Sequence, residues 1–514
     1  MAAAGPSTAI GALPTFLLPN LAAILTVATL FFCLFVFGAG QQLFRDSDSG
    51  WHIRNGEWIL NHQALPHADP FSFSKSGDPW IAWEWGSDVL MAAAHRLDGL
   101  RGVATLFIFL LAMCTWLSCR LHFQAGGDFF ITALLMPPIL TTASLHWLAR
   151  PHVIGWIFLL MAVLYAGKSA VQRKPWRLFA VAGLSAVWAN VHGSFLLGPV
   201  VALVYAAAHL GRIALWQVDR NEELSKARWL GYNALASLAG SFINPYGWRL
   251  HEHVVSYLRN DELTSRIAEF QSFNFHEPGA ALVVLTVLFA ACGAMLALSQ
   301  RKLSHFLLAA IFLWGGLRYA RVLPLIALII LPLMNGVFLE ALWSVRGLRS
   351  TLRKSLDRAL YYSERLHGFD AQLNGVCFTA ACFVVLFAAL HVPSQSKEIG
   401  FPSSAFPVGA ASAVEKLPPA ARLLAPDSYG GYLLYRFAGT RKVYTDGRSD
   451  FYGVDFLKQY ASLMSARPGW QEIVRSFGFT HALLPKDAPL VAALQQAGWA
   501  ALYHDDVATL LEAR

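Results

Sequence analysis

The sequence is poor in charge and has no paired cysteines. Only 14% of its 514 residues are Asp, Glu, Lys or Arg, where an ordinary soluble domain carries about 25%. At 56% hydrophobic residues and a mean hydropathy of +0.45, the chain is excluded from the soluble globular class. Its six cysteines, Cys33, Cys114, Cys119, Cys292, Cys377 and Cys382, sit in or beside apolar runs without a C-x-x-C pair, which argues against a disulfide framework and a thiolate metal site. The net charge of +8 is not a nucleic-acid footprint. Most basic residues fall in short runs between apolar segments, where they set membrane topology, and no nucleic-acid partner is expected.

What is present is a series of uncharged runs near 21–38, 102–118, 129–145, 153–167, 178–192, 194–211, 229–243, 281–298, 303–317, 321–340 and 374–392. Each is near the length a helix needs to cross a bilayer, so they predict an all-α membrane bundle of about 11 transmembrane helices. The first run has no Lys or Arg before it and exceeds the roughly 7–15 residues of a signal-peptide core, so it reads as a retained helix. Lys168/Arg173/Lys174/Arg177, Arg212/Arg220/Lys226/Arg228, Arg301/Lys302 and the basic residues from Arg346 to Arg365 all fall on one side if the N-terminus is inside. The positive-inside rule makes that side the cytoplasm.

The opposite side then holds the first loop (41–101), the turns at 146–152, 190–194 and 318–321, the loop at 244–280, and everything after 392. Residues 1–400 read as the polytopic domain. Residues 401–514 read as a C-terminal extracytoplasmic α/β domain, joined by the Pro/Ser-containing stretch after His391. In it, β-rich runs at 422–425, 442–445, 481–484 and 500–504 alternate with helical patterns at 454–466 and 488–496. Asp427-Ser-Tyr-Gly-Gly431 and Tyr444-Thr-Asp-Gly-Arg448 read as strand-to-loop turns, with turn chemistry explaining their glycines. The unusual polar residues gather on the outer side, and ionisable groups are costly enough near a bundle to favour function when they cluster.

Directly after the first run the chain reads Arg45-Asp46-Ser47-Asp48-Ser49-Gly50-Trp51-His52. Two carboxylates one residue apart, just before an amphipathic helix, suit a divalent cation such as Mg or Mn, or a hydroxyl awaiting deprotonation. The helix dipole keeps Asp48 ionised, as a general base requires; capping by Asp48 or Ser49 is the plainer alternative. Trp51, Trp58, Trp80, Trp83 and Trp85 fit an interfacial aromatic belt. His251-Glu-His253 lacks the spacing of three or four that zinc ligands on one helical face need.

The Asp46-Ser-Asp-Ser-Gly-Trp-His run, Asp69-Pro-Phe-Ser, Trp83-Glu-Trp, Arg150-Pro-His152, Asn190-Val-His-Gly193, Asn244-Pro-Tyr-Gly247 and Arg318-Tyr-Ala-Arg321 together resemble a bacterial branch of the GT-C superfamily of lipid-dependent glycosyltransferases. That superfamily includes the oligosaccharyltransferase catalytic subunit, the protein O-mannosyltransferases and the aminoarabinose transferases of lipid A. The resemblance implies a multi-pass protein of the bacterial inner membrane with an outward-facing site, a polyprenyl-phosphate sugar donor and a lipid, glycan or protein acceptor. It implies an inverting displacement in which an acceptor hydroxyl attacks and polyprenyl phosphate leaves.

On that reading Asp48 is the first choice for the base, Asp46 orients the acceptor or a metal, and Glu84 is the third acid. Arg318 and Arg321, on one face if a helix starts there, meet the lipid phosphate or snorkel at a helix end. Arg150 and His152 contact phosphate or sugar, or only start a helix. His52 contacts substrate, Asn190 and His192 in a tight turn line the cavity, and Glu269 with His276 belongs to a gating segment or to a solvated linker. The alternatives are a transporter or flippase of lipid-linked saccharides, with polar groups near the bilayer midplane, and a non-catalytic membrane scaffold.

Overall fold

The computed structural model describes residue 15 and residues 17–169, 173–391 and 399–514. The start of the expected linker after His391, residues 392–398, lies outside the described residues.

Helix α1 (Leu21–Phe31) begins where the Asn20 side chain accepts from the Ala23 amide at 2.8 Å, satisfying one of the donors a helix start leaves open. A short surface helix, α2 (Asp48–His62), follows. The 40-residue α3 (Trp85–Gln124) bends at Asp98 and Gly99, where Gly99 takes φ +57°, so the apolar run at 102–118 starts just past the bend. Then come α4 (Phe129–Ser144), capped by Asp128, α5 (His152–Ser169), α6 (Trp176–Val191), α7 (Leu197–Leu215) and α8 (Arg220–Ser241), capped by Asp219. The amphipathic α9 (Trp248–Arg259) lies in the loop expected at 244–280. The bundle ends with α10 (Ala281–Ser299), α11 (Leu303–Arg318), α12 (Ala320–Ser344), α13 (Ser350–Asp370) and α14 (Val376–Leu390).

The greater part of each apolar run expected from the sequence is helical among the described residues. Among the described residues, four helical segments are long and apolar enough to cross a membrane: α3, Gly193–Leu215, α10 and α12. Six shorter apolar helices accompany them. The run at 229–243 falls in neither group, because it forms the second half of α8 behind a polar first half containing Glu222, Glu223 and Lys226. Val103, Phe107, Ile108 and Leu111 of α3 and Ile326, Ile329 and Ile330 of α12 are fully buried at the centre of the bundle.

The C-terminal unit comprises β1 (Leu423–Leu424), α15 (Asp427–Arg436), α16 (Ser449–Met464), α17 (Trp470–Phe477), β2 (His481–Pro485), α18 (Pro489–Gln496), β3 (Ala500–His504) and β4 (Ala508–Glu512). Its sheet has the order β1-β2-β4-β3, with β1 and β2 parallel and the other pairs antiparallel. Two local readings are corrected. The run at 442–445 is not a strand of this sheet; Val443 instead bridges Ser72 of the first loop. Asp427-Ser-Tyr-Gly-Gly431 is not a turn but the start of α15, entered from an extended Pro426.

The unit shares a core with the first loop: Trp51, Phe71 and Trp80 pack with Phe406, Tyr429, Tyr432, Leu433 and Leu483. Trp51 and Trp80 are therefore 6% and 5% exposed and are not belt residues, and none of the other three loop tryptophans is exposed. The glycines read as turn residues have ordinary negative φ and serve close approach instead. A Cβ on Gly431 would lie 2.1 Å from the Ser47 carbonyl oxygen, and one on Gly447 would lie 1.8 Å from Asp48 Oδ1. Beside them the buried Arg448 pairs with Asp446 of its own unit at 2.7 Å and with Asp69 of the first loop at 2.9 Å, its guanidinium 4.5 Å from the Trp80 ring centre.

Candidate active site

Asp46 and Asp48 sit where the chain enters α2, and the Asp48 amide donates to Asp46 Oδ1 at 2.9 Å. Neither Asp48 nor Ser49 is the cap: the capping position is Ser47, and the Ser49 hydroxyl donates to the Ala149 carbonyl. Both carboxylates instead turn to Arg150, in the turn before α5. Its Nη1 lies 2.9 Å from Asp46 Oδ2 and its Nη2 2.9 Å from Asp48 Oδ2. Glu269, from the 244–280 loop, stands 3.8 Å from Arg150, 3.8 Å from Arg321 and 2.8 Å from His146 Nε2. Four separate stretches of chain thus meet in one network of alternating charge.

The charges set one another's acidity. Burial, with Asp46 beside it, pushes the Asp48 carboxyl up to about 7, against the pull of Arg150. Burial also acts on Glu269, but Arg321 and Arg150 outweigh it and hold this carboxyl well below its usual range.

A second cluster adjoins the first. Glu84, the residue before α3, has Oε1 3.4 Å from His192 Nε2 and Oε2 3.9 Å from His52 Nε2. His52 Nδ1 is 2.6 Å from Asp88 Oδ1, and Asp88 Oδ2 accepts from Asn55 at 2.6 Å. With Nδ1 donating to Asp88, the lone pair of the buried His52 Nε2, which has no hydrogen-bond partner, faces Glu84. His192 Nδ1 accepts from the Ser194 amide, which leaves its Nε2–H for Glu84. Burial, with Asp88 adding to it, pushes the Glu84 carboxyl up to about 8. Burial together with the nearby arginines holds His192 at about 3 and His52 well below its usual value, so both rings are neutral at pH 7.

The two clusters form one wall of a cavity of about 330 Å³, also lined by Trp83, His146, His152, Tyr257 and Tyr319. Of the residues singled out from the sequence, Glu84, Arg150, His152, His192, Glu269 and Arg321 line this cavity. Asp46 and Asp48 lie behind Arg150, and His52 behind Glu84. Asn190 does not line it: its side chain accepts from Trp85 Nε1 at 2.9 Å and donates to the Ile243 carbonyl at 2.8 Å, tying the start of α3 to the end of α8. Arg318 is also elsewhere. Tyr319 is extended and ends α11, so Arg318 and Arg321 do not share a helical face, and Arg318 is exposed against the rings of Trp314 and Tyr319. Sequence reasoning missed His146, Tyr257, Asp88 and Asn55. Asp88 four residues after Glu84, and Asn55 three after His52, were available as helical spacings.

The two first-loop carboxylates are engaged by a cationic side chain. Among the described residues no group of three His, Cys, Asp or Glu side chains has metal-binding geometry, and one guanidinium takes an oxygen of both first-loop carboxylates.

The chain is a many-helix bundle whose first loop brings an acid-bearing helix beside a cavity, next to a C-terminal α/β unit, and four of its described helical segments are long and apolar enough to cross a membrane. Its structure is similar to that of the archaeal oligosaccharyltransferase AglB from Archaeoglobus fulgidus in complex with an inhibitory peptide and a dolichol-phosphate, with a TM-score of 0.58, 10% identity, and coverage of 90% of this chain and 69% of that one. The apo form of the Archaeoglobus fulgidus oligosaccharyltransferase gives a TM-score of 0.55 at 11% identity with the same coverage. No protein-family model matches the chain, and no curated protein does.

Proposed function

We propose that the chain is an integral-membrane glycosyltransferase that moves a sugar from a polyprenyl-phosphate-linked donor to an acceptor hydroxyl on the extracytoplasmic side. The observation that carries this reading is the pairing, in one cavity, of a loosely held cation, Arg321, with a carboxyl of raised basicity, Glu84. The bond from the anomeric carbon to the phosphate oxygen breaks as the acceptor oxygen attacks from the opposite face. Arg321 takes the charge that grows on the leaving phosphate. Arg150 is already committed to two carboxylates at 2.9 Å and serves mainly to hold them.

The acceptor proton goes to Glu84. Glu84 is preferred to Asp48 because it lines the cavity, whereas Asp48 lies behind Arg150 and beneath Gly447. A carboxylate that titrates at about 8 is also a stronger base than an ordinary one.

The test is transfer of radiolabelled sugar from a lipid-linked donor by the purified protein. Glu84→Gln is expected to lower kcat by about 10²- to 10⁴-fold with donor KM little changed. In the unmodified protein the rate should rise with pH as Glu84 ionises around pH 8, and the rise should vanish in the variant. Full activity of Glu84→Gln beside an inactive Asp48→Asn would return the base to Asp48. Activity in neither the unmodified protein nor any variant, with donors of several sugars, would overturn the enzyme reading.

A further inference from the structure

A cavity larger than the one at the candidate active site lies elsewhere in the bundle. A groove of about 540 Å³ runs between α3, α5, α6, α7 and α8, on the part of the bundle that ends in basic residues. Along α6 its lining extends from Trp176 to Trp188, about 18 Å of helix rise, and along α5 it runs back from Lys168 to Phe158. That depth matches one leaflet, roughly half of a 30 Å hydrocarbon core. Small side chains keep it open: Ala162, Ala166, Ala180 and Ala202 contribute methyls where larger residues would close the helices on each other. Trp188, stacked on Phe158 at 5.6 Å, floors the deep end.

The two ends differ in chemistry. The few polar groups within satisfy one another, as Tyr165 donates to Asn233 at 3.0 Å and Ser185 meets Ser237 at 2.7 Å, so the interior has no use for water. Among the described residues the mouth is lined by Arg120, Lys168 and Arg177 and by no carboxylate. Arg120 and Lys168 are exposed and form no ion pair among the described residues, while Trp116 and Trp176, 43% and 61% exposed, flank the opening. An apolar slot one leaflet deep, with cations at its rim and tryptophans at the level of lipid headgroups, has the form of an amphiphile site.

We infer that this groove is a binding site for an anionic glycerophospholipid, its phosphate on Arg120 and Lys168 and one acyl chain lying along α6 toward Trp188. The basic loop that orients the chain in the membrane thus has a second role, and the site is separate from the one proposed for the sugar donor. A lipid wedged between α5 and α6 also braces the helix that ends at His192.

The experiment is native mass spectrometry of the purified full chain in detergent, titrated with phosphatidylglycerol or phosphatidylcholine of the same acyl composition. The unmodified protein should retain one phosphatidylglycerol at least about tenfold more strongly than phosphatidylcholine, given the attraction of each rim cation for an anionic headgroup. Arg120→Gln/Lys168→Gln, both at exposed positions, should remove that preference. Ala202→Phe, which fills the slot and leaves the rim cations in place, should also abolish retention. Equal retention of the two lipids, or an unchanged preference in the Arg120/Lys168 variant, overturns the site. Loss in that variant with full retention in Ala202→Phe would reduce the site to a surface patch and overturn the groove.

Discussion

Arg150, Arg318 and Arg321 carry the same charge yet have three different situations. Arg150 is fixed by two carboxylates, Arg318 leans on exposed rings, and Arg321 reaches into the cavity over Phe270 with its nearest carboxylate oxygen at 3.8 Å. Only Arg321 is free to exchange its partner for a phosphate. Arg321→Ala should therefore raise the donor KM by about 10- to 100-fold, the value of a charge-assisted contact of roughly 1.5–3 kcal/mol. Arg318→Ala should stay within about twofold of the unmodified protein; steady-state kinetics over a donor series reads both. The sequence made these two arginines look alike, because three residues apart is a shared face only if a helix continues through them. Tyr319 breaks it, and nothing in the composition of the Arg318–Arg321 turn announces that. Asp46, Asp48, Glu84, Arg150 and Glu269 were legible for a different reason: charge in a chain so poor in it stands out at once.

Among the elements, the contact between α2 and the C-terminal unit was the least legible. Hydropathy and helical period are local signals, and they located the apolar helices and α2. The burial of Trp51 and Trp80 depends on residues beyond 400 in sequence, so a loop rich in Trp read as a membrane belt. Gly447 gives the contact a sharp test. A methyl there would meet the Asp48 carboxylate at 1.8 Å, and overpacking of this kind costs about 1–3 kcal/mol. Gly447→Ala is expected to lower thermal stability and to cut transfer more than any loss of folded protein explains, since it displaces Asp48 and through it Arg150. Gly231→Ala in α8, where nothing lies within 4 Å of the added carbon, is the control and should leave transfer unchanged and thermal stability equal or slightly higher. A Gly447→Ala protein with normal activity would mean that the C-terminal unit does not position the acids.

In the whole molecule, the first loop and the C-terminal unit behave as one body because a buried ion triad joins them. Arg448 is 2% exposed and bridges Asp446 and Asp69, and taking one partner from such a group costs about 3–5 kcal/mol by leaving buried charge unpaired. Arg448→Met should accordingly speed amide hydrogen exchange in α2 as well as in α15 and α16, while α10 and α11 keep their protection. If exchange quickens in α15 and α16 alone, the two parts are separate units that merely touch. The same long reach explains why the sequence divided the chain near residue 400: composition changes there, but packing does not respect the change.

The 380 positions that separate Ser47 from its neighbour Asp427 also impose an order on biogenesis. As the ribosome releases the chain, α1 and α2 emerge early, with the buried face of α2 and the Asp46/Asp48 pair still uncovered. The apolar helices are all made before the segment that packs on α2 has been translated. The nascent protein therefore lacks the packing that covers α2 and the Asp46/Asp48 pair for most of its synthesis, and a ribosome stalled near residue 400 would leave a bundle whose cavity lining is complete but whose acid pair is uncovered.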